Sequence, residues 1–274
     1  PPAPAGTITC TGLVGQFTSA IEVVAVAATQ QLSSSSFLDV QHLRKQFKKR
    51  VVVKDVSFNV HSNEVIGLLG PNGAGKTTSF YMVAGLLASD GGDIYLDGQN
   101  IKSTPVHKRA ALGLGYLPQE ASIFRQMTVE ENVRSILELK NLDRKKIKRE
   151  VDRLLSELNI DHLRDVNAMA LSGGERRRCE IARALANYPR FILLDEPFAG
   201  VDPIAVSDIQ KVVVFLKELG IGVIITDHNV RETLRICDRA YIISEGNVLA
   251  SGVPDELVQN EKVKQVYLGE NFTL

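Results

Sequence analysis

The segment Gly70–Thr77, GPNGAGKT, has the residue types and spacing of a phosphate-binding loop. It fits the pattern G-x-x-x-x-G-K-[ST], between a strand-like run that ends at Leu69 and a helical pattern predicted from Thr77 to Leu87. Glycines let backbone N–H groups approach a phosphate, and the amino end of the helix adds its positive dipole. Lys76 would contact the β- and γ-phosphates, and Thr77 would ligate Mg²⁺. The alternative, a glycine turn with an incidental lysine, is disfavoured by the flanking strand and helix.

Two adjacent carboxylates follow the apolar run Phe191–Leu194. Burying a charge is costly, so a buried strand is not expected to end in Asp195 and Glu196 unless a cation or a reacting group lies there. Asp195 is placed to hold Mg²⁺ through its water shell, and Glu196 to polarise the water that attacks a γ-phosphate. Alternatively the two acids cap the next segment. The phosphate loop in the same chain favours the catalytic interpretation.

Strand-like and helix-like stretches alternate from Phe37 onward. The strand-like runs are short and rich in valine, isoleucine and leucine: residues 51–60, 64–69, 114–117, 191–194, 221–226 and 240–243. Unbroken apolar strands joined by helices predict a parallel sheet that helices cover on both faces. Ligands of such sheets bind at the carboxyl ends of the strands.

Two of the predicted helices have recognisable ends. Thr128 and Glu131 form a capping box ahead of an apolar-periodic run to Leu139. Asp202, which a proline follows, is the predicted N-cap of a later helix, and Gly220 is its predicted end because glycine readily adopts a positive φ.

The composition bounds the class of protein. Of 274 residues, 44% are apolar and 23% charged, as in ordinary globular proteins. Lys plus Arg and Asp plus Glu both number 32, so the formal charge of zero argues against nucleic-acid binding, and the basic run at residues 143–150 is predicted to be a solvated helix face. No apolar run approaches the ~20 residues of a membrane span. The cysteines, Cys10, Cys179 and Cys237, lack C-x-x-C spacing, which favours a reducing, cytosolic location.

Residues 1–36 differ from the rest of the chain. They contain one charged residue, Glu22, and end in four serines. They lack the basic n-region of a secretory signal, so we interpret them as a processed leader or an extension added during cloning. The predicted domain is residues 37–274.

Six motifs occur in order along that domain. They are the phosphate loop, Gln119, Leu171–Glu175 (LSGGE), Phe191–Glu196, Gly200–Asp202 and His228. In this order they resemble the ATPase subunits of ABC transporters, and the runs 67–78, 115–125, 171–178, 226–233 and 266–272 are most similar to the lipopolysaccharide-export branch. The resemblance implies an α/β P-loop NTPase fold with a RecA-like parallel-sheet core, a small antiparallel β subdomain and a helical signature subdomain at about residues 123–185.

The resemblance also implies where ATP and Mg²⁺ bind. In this family two copies pair head to tail. Each ATP lies between the phosphate loop of one copy and the LSGGE segment of the other, which is called the signature. The nucleotide contacts carried over are Phe47, Gly70, Pro71, Asn72, Gly73, Ala74, Gly75, Lys76, Thr77, Thr78 and Gln119 from one copy, and Ser172, Gly173, Gly174 and Glu175 from the other. Thr77, Gln119 and Asp195 would hold Mg²⁺, and Glu196 and His228 would be catalytic.

Several of these residues also have a simpler interpretation. Ser172 and Glu175 fit a capping box, so they could mark a helix start, and both roles can hold together. The family more often has glutamine where this chain has Glu175, which leaves open whether Glu175 contacts nucleotide or only caps. Taken singly, Gln119 could be a solvated loop residue and His228 a structural histidine.

Three further residues carry open alternatives of the same kind. The N-cap role of Asp202 accounts for it locally, although the family places that residue at the dimer interface. Phe47 could stack on adenine or pack beneath the first hairpin. Phe124 and Arg125 lie where the family's groove receives a coupling helix from each membrane subunit, but Phe124 could equally belong to the core.

The resemblance implies a motor subunit. ATP binding and release would close and open a homodimer that drives two transmembrane permease subunits (LptF/LptG-like) to extract lipopolysaccharide, on the cytoplasmic face of the inner membrane. The chain would contact neither nucleic acid nor the membrane interior. Alternatives are the ATPase of another transporter, such as a branched-chain amino acid importer, a soluble ABC ATPase of DNA repair or translation, and a regulator that binds nucleotide without hydrolysing it.

Overall fold

The computed structural model describes residues 36–201, 203–269, 272 and 274. Within the predicted leader, residues 1–36, the description begins at Ser36, which is buried and whose backbone N–H donates to Ser62 Oγ over 3.1 Å. The rest of the leader lies outside the described residues, and so does Asp202, so the predictions for them remain untested.

The strands form one mixed sheet. They are β1 (Phe37–Phe47), β2 (Arg50–His61), β3 (Val65–Leu69), β4 (Gly91–Leu96), β5 (Gln99–Asn100), β6 (Leu114–Leu117), β7 (Phe191–Asp195), β8 (Gly222–Thr226), β9 (Arg239–Ser244) and β10 (Asn247–Gly252). In the described residues their order is β5-β4-β1-β2-β10-β9-β3-β8-β7-β6. From β9 to β6 the neighbours are parallel, whereas β1, β2, β4 and β5 pair antiparallel. The predicted parallel core with a smaller antiparallel part is confirmed.

The helices of the described residues are α1 (Lys76–Ala84), α2 (Val106–Ala111), α3 (Val129–Glu138), α4 (Arg144–Glu157), α5 (Gly173–Leu185), α6 (Pro203–Glu218), α7 (Val230–Leu234), α8 (Pro254–Gln259) and α9 (Glu261–Val263). Shorter turns are 3₁₀ at Asp161–Leu163 and Ala168–Ala170 and π-helical at Lys264–Leu268. The predicted end of the first helix at Leu87 is wrong. Gly85 adopts φ 83° and its N–H donates to Met82 O, so α1 ends at Ala84.

The parallel strands divide their side chains between two apolar layers. Phe191 and Leu193 of β7 pack with Ile224 of β8 on one face, together with Phe80 of α1. Ile192, Leu194, Val223 and Ile225 pack on the other face, together with side chains of α3, α4, α5 and α6. Because successive side chains of a strand alternate between faces, an unbroken apolar run is what a sheet covered on both faces requires.

The strand registers bring the chemistry to one edge of the sheet. Thr226 at the end of β8 pairs with Leu68 of β3 on one side and with Asp195 of β7 on the other. The phosphate loop begins directly after β3, and Glu196 directly after β7. Three neighbouring parallel strands therefore end at the same place, as predicted for a ligand site.

The helices α3, α4 and α5 pack on one another beside the sheet. Their contacts bury Val133, Val151 and Ala182, and Arg164 pairs with Glu130 over 2.7 Å. The basic run at 143–150 lies at the start of α4 with its charged side chains largely exposed, which confirms the predicted solvated face. The limits of the helical subdomain, about 123–185, stay a prediction. Within the described residues, every helix is too short or too polar to cross a membrane.

Candidate nucleotide-binding site

The phosphate loop begins where the backbone requires glycine. Gly70 adopts φ 142°, and a Cβ there would lie 2.0 Å from the carbonyl oxygen of Ile243. Lys76 is 9% exposed, and its Nζ donates to Gly70 O (2.6 Å) and Pro71 O (3.0 Å). Burial lowers the pKa of Lys76, while the nearby carboxylates of Glu196 and Asp227 act in the opposite direction. The ammonium is thus held over the loop, where phosphate oxygens could replace the carbonyls.

The middle of the loop is open. Gly73 adopts φ 77°, and a Cβ there would meet nothing within 4 Å. Gly75 precedes α1 and has no side chain that could cap the first N–H groups of that helix. The first N–H groups of α1 therefore have no side-chain cap, and Thr77 beside them is exposed, an arrangement that suits the binding of an anion.

Asp195 is held in place at the end of β7. It is 3% exposed; Thr226 Oγ donates to its Oδ1 over 2.8 Å, and Tyr116 OH donates to its Oδ2 over 3.4 Å. The ring of Tyr81 meets that of Tyr116 edge-on at 6.4 Å between centroids. Burial, and then the charge of Asp195, raises the pKa of both tyrosines. Both tyrosines therefore stay protonated, and Tyr116 keeps the hydroxyl hydrogen that it donates to Asp195.

Glu196 and His228 approach each other beyond the strand ends. Glu196 adopts φ 43°, a left-handed conformation uncommon outside glycine, and its N–H donates to Thr226 O over 2.7 Å. His228 Nδ1 lies 3.5 Å from Glu196 Oε2, with the histidine side chain 59% exposed and that of the glutamate 28% exposed. The unusual backbone turns the carboxylate out of the buried strand toward solvent and toward His228.

A buried carboxylate, Asp227, fixes the backbone next to Glu196 and His228. Asp227 is fully buried and accepts the N–H groups of Phe198 (2.8 Å) and Asn229 (2.7 Å). Burial raises its pKa, and those backbone bonds oppose the rise. Asp227 thereby joins the segment after β7 to the segment that carries His228.

The signature segment Leu171–Glu175 has its contacts within its own helix start. Ser172 N–H and Oγ–H both donate to Glu175 Oε2, over 2.8 and 2.7 Å. Ser172 and Gly173 are exposed, and a Cβ on Gly173 would meet nothing within 4 Å. The backbone of Gly173 is helical. Neither backbone conformation nor space within this chain therefore requires a glycine at position 173.

Phe124 is half-exposed rather than a core residue. Its exposed fraction is 44%, and the guanidinium carbon of Arg183 lies 4.7 Å from its ring centroid. Asn132 holds the backbone here: it accepts Phe124 N–H (2.9 Å) and donates to Phe124 O (3.1 Å). Arg125 is exposed beside it. The ring is therefore presented at the surface on a fixed backbone.

The loop that carries Gln119 is tied to α5. Glu180 accepts Ser122 N–H over 2.6 Å, and Arg177 donates to Pro118 O over 3.1 Å. Arg183 donates to Ser122 Oγ over 2.7 Å. Gln119 itself is exposed between these anchors.

The aromatic ring predicted to stack on adenine is accessible. Phe47 is 46% exposed at the end of β1, with Lys45 Nζ 5.6 Å from its ring centroid. It does not pack beneath the first hairpin. Stacking on adenine remains a prediction.

Comparison with known proteins identifies the family. The family described as ABC transporter matches residues 53–199, more than half of the chain. The chain belongs to the ABC transporter ATP-binding subunits. A second family, described as Branched-chain amino acid ATP-binding cassette transporter, matches residues 247–273. The ATP-binding subunits of ABC transporters hydrolyse ATP, so the chain is an ATP hydrolase.

Relatives and solved structures agree with this assignment. The Lipopolysaccharide export system ATP-binding protein LptB of Haemophilus influenzae is 58% identical over 240 residues, which are 87% of this chain and 100% of the relative. The protein of that name in Escherichia coli K12 is 55% identical over 238 residues, 86% of this chain and 99% of the relative. The ADP conformation of MJ1267, an ATP-binding cassette of an ABC transporter, superposes with a TM-score of 0.76 at 29% identity over 86% of this chain and 100% of that one. The structure of cbiO1 from Clostridium perfringens gives 0.77 at 31% identity, over 85% and 94%.

Sequence reasoning missed several residues of the site. Thr226, Tyr116 and Asp227 lie at or beside strand ends that were recognised, so the rule that ligands bind at carboxyl ends could have pointed to them. Tyr81 lies one helical turn beyond Thr77, on the helix that the phosphate loop opens. Asn132 carried no signal, because its contacts to Phe124 depend on how a loop folds onto α3.

Proposed function

We propose that this chain is the ATP-hydrolysing subunit of a lipopolysaccharide exporter. The observation that carries the proposal is the near full-length identity of 58% and 55% to two proteins whose names state that function. The matched stretches of 240 and 238 residues are much longer than the nucleotide motifs.

One chain supplies the phosphate side of the ATP site. Lys76 and the N–H groups of the phosphate loop would bind the β- and γ-phosphates, and Phe47 would stack on the adenine. Thr77, Asp195 and Gln119 form a donor set of hydroxyl, carboxylate and amide oxygens, the kind that Mg²⁺ prefers. When bound, Mg²⁺ neutralises charge on the β- and γ-phosphates.

Glu196 and His228 would carry the hydrolytic step. Glu196 would accept a proton from the water molecule that attacks the γ-phosphate as ADP leaves. His228, whose Nδ1 lies 3.5 Å from Glu196 Oε2, would contact the γ-phosphate and help to position that water. The bond to Thr226 comes from the Glu196 N–H and leaves the carboxylate unused, and the side chain is 28% exposed, so water can reach it.

A second copy would complete the site. Ser172 and Gly173 are exposed and Gly174 is partly buried at the amino end of α5, and the absence of a Cβ at Gly173 leaves room for another molecule to approach. A helix amino end favours an anion, so the γ-phosphate of ATP held by a partner copy fits there. The homodimer would thus contain two ATP molecules.

The membrane partners would dock at Phe124 and Arg125. An exposed aromatic ring on a backbone fixed by Asn132 suits an apolar anchor of a short coupling helix. Two permease subunits of the LptF and LptG type are the proposed partners. The chain would then be a peripheral protein of the inner membrane's cytoplasmic face.

A branched-chain amino acid importer is the second candidate. The match of that family to residues 247–273 favours it. That match covers the end of the chain, whereas the exporter relatives match over 87% and 86% of it.

Affinity capture from detergent-solubilised membranes tests the proposal. The tagged chain should retain the two permeases of a lipopolysaccharide exporter, identified by mass spectrometry. Phe124→Ala should lose them, whereas Leu139→Ala, which alters a side chain that is 79% exposed outside the predicted groove, should not. Capture of amino acid permeases by the unaltered chain would instead establish the second candidate.

A further inference from the structure

Two helices of the described residues begin with the same capping arrangement. Thr128 and Glu131 cap α3, and Ser172 and Glu175 cap α5. In each, the N-cap N–H donates to a glutamate oxygen over 2.8 Å. Each glutamate N–H in turn donates to the N-cap hydroxyl oxygen, over 3.2 Å in α3 and 3.4 Å in α5.

The box of α5 contains an additional bond. Ser172 Oγ lies 2.7 Å from Glu175 Oε2, the oxygen that already accepts Ser172 N–H. One carboxylate oxygen of Glu175 therefore receives two donors from the same residue. In the described residues the box of α3 contains two hydrogen bonds, each donated by a backbone N–H, so the hydroxyl contact distinguishes the two helices.

Ionisation fixes the direction of this bond. The hydrogen bonds from Ser172 hold the pKa of Glu175 below its usual value, with smaller contributions from Arg178 and His162. An ionised carboxylate is an acceptor only, so the hydrogen must come from Ser172. A serine hydroxyl has one hydrogen to donate, and here Glu175 holds it.

An incoming phosphate would need that same hydrogen. Ser172 is exposed at the amino end of α5, beside the open backbone of Gly173. A γ-phosphate offers only acceptor oxygens, so it can bind the Ser172 hydroxyl only after the hydroxyl turns away from Glu175. It would also approach a second negative charge, that of the carboxylate.

We infer that Glu175 restrains dimer closure: it holds the Ser172 hydroxyl until ATP on a second copy competes for it, and so sets the affinity of the ATP-bound pair. This inference rests on the proposed function, because it concerns the same sandwiched ATP. Glu175 is a positioning residue that acts through Ser172. Its charge keeps the closed dimer weak enough to reopen.

Glu175→Gln separates the charge from the cap. The amide oxygen can still accept Ser172 N–H, and the side chain keeps its length. A neutral acceptor forms a hydrogen bond roughly half as strong as a charged one, so the hydroxyl is released more readily. Glu131→Gln is the matched control, because it makes the same change in a box whose two hydrogen bonds both come from backbone N–H groups.

The experiment that tests the inference measures dimerisation with ATP bound. Each variant is combined with Glu196→Gln to prevent hydrolysis, and sedimentation equilibrium with saturating Mg·ATP gives the dimer dissociation constant. Glu175→Gln should lower that constant about tenfold, since two sites change in each dimer. Glu131→Gln should leave it within about twofold of the parent. Glu175→Ala should shift in the same direction as Glu175→Gln, and a thermal melt of each variant checks that it is folded.

A kinetic readout separates positioning from a structural role. With Glu196 intact, Glu175→Gln should lower the KM for ATP without raising kcat, because the change favours the closed state before hydrolysis. Binding of a fluorescent ADP to the isolated subunit should be unchanged, since the phosphate loop is untouched.

The outcomes distinguish this inference from the proposed function. If the Glu196→Gln parent stays monomeric with ATP, the sandwich dimer fails and the inference fails with it. If the parent dimerises but Glu175→Gln behaves like Glu131→Gln, or dimerises more weakly, the inference alone is overturned.

Discussion

The two halves of the proposed ATP site differ in how completely one chain builds them. At the sheet edge, Lys76 and Asp195 are 9% and 3% exposed and already have hydrogen-bond partners within the chain. At the start of α5, Ser172 and Gly173 are exposed and the backbone faces open space. The first half is therefore preorganised by the core, and the second is a surface that becomes a site only against another molecule.

This difference follows from what each half must do. The charged side chains that bind phosphate must stay in fixed positions although they are largely removed from water. A packed sheet edge provides that rigidity. A surface that opens and closes during each cycle must be able to lose its partner without exposing unsatisfied groups. The capping box at Ser172 and Glu175 serves that need, because it satisfies the helix end while the partner is absent.

The largest expected effect is on hydrolysis, from Glu196→Gln at the preorganised half. Removing a general base typically lowers a rate by ~10²–10⁴-fold. The phosphate contacts stay intact, so the variant should still bind ATP and accumulate as an ATP-trapped dimer. Phosphate release and size-exclusion chromatography measure the two effects. Turnover close to that of the unaltered protein would exclude Glu196 from the proton-accepting role.

Lys76→Ala should weaken ATP binding at the sheet edge, the half of the site that one chain builds. The loss of charged hydrogen bonds to phosphate should weaken equilibrium ATP binding by about 10–100-fold, and dimerisation should then fail for lack of nucleotide. Isothermal titration with ATP measures the binding. Lys211→Ala is the control, since Lys211 is 75% exposed on α6. Unchanged ATP affinity in Lys76→Ala would contradict the phosphate-loop assignment.

The sequence alone was sufficient to predict the half of the site that one chain builds. The pattern around Lys76 and the acids after Leu194 indicated the sheet edge, because local spacing and burial dictate both features. It left the role of Glu175 open, because a capping box and a nucleotide contact require the same residues. The structure adds the bond from Ser172 Oγ, which depends on a rotamer rather than on spacing.

Sequence reasoning was least informative about side chains that support others. Tyr116 and Asp227 belong to segments whose strands were predicted, yet their contacts to Asp195 and Phe198 join positions 79 and 29 residues apart. Such contacts depend on strand order, which periodicity alone does not fix. The helix end at Ala84 was missed for a simpler reason, since Gly85 interrupts an otherwise helical pattern.

Gly173→Ala tests the open half directly. Alanine is favoured over glycine in a helix by roughly 0.5–1 kcal/mol, and the added Cβ meets nothing within 4 Å, so the variant should be slightly more stable in a thermal melt. A partner's nucleotide would meet that Cβ, so the dimer dissociation constant with ATP should rise about tenfold. A matched change, Gly70→Ala, should instead destabilise the monomer, because its Cβ would lie 2.0 Å from Ile243 O. An unimpaired Gly173→Ala dimer would mean that no second molecule approaches α5 closely.

Tyr116→Phe should produce the smallest effect and would refine the description of the preorganised half. The variant removes one donor to Asp195 while Thr226 keeps the other, so the carboxylate remains in place but is less restrained. Loss of a hydrogen bond that supports a metal ligand commonly weakens metal binding by about 10–100-fold. Because the Tyr116–Asp195 bond is long, at 3.4 Å, we expect a smaller effect. The Mg²⁺ concentration at half-maximal activity should rise about threefold. Mn²⁺ binding with ADP, followed by electron paramagnetic resonance, measures the same effect without turnover. Tyr188→Phe, a half-exposed tyrosine beside Lys140, is the control. If both variants bind Mn²⁺ like the unaltered protein, Thr226 alone suffices to orient Asp195, and the preorganisation of this edge depends on the strand register rather than on the tyrosines.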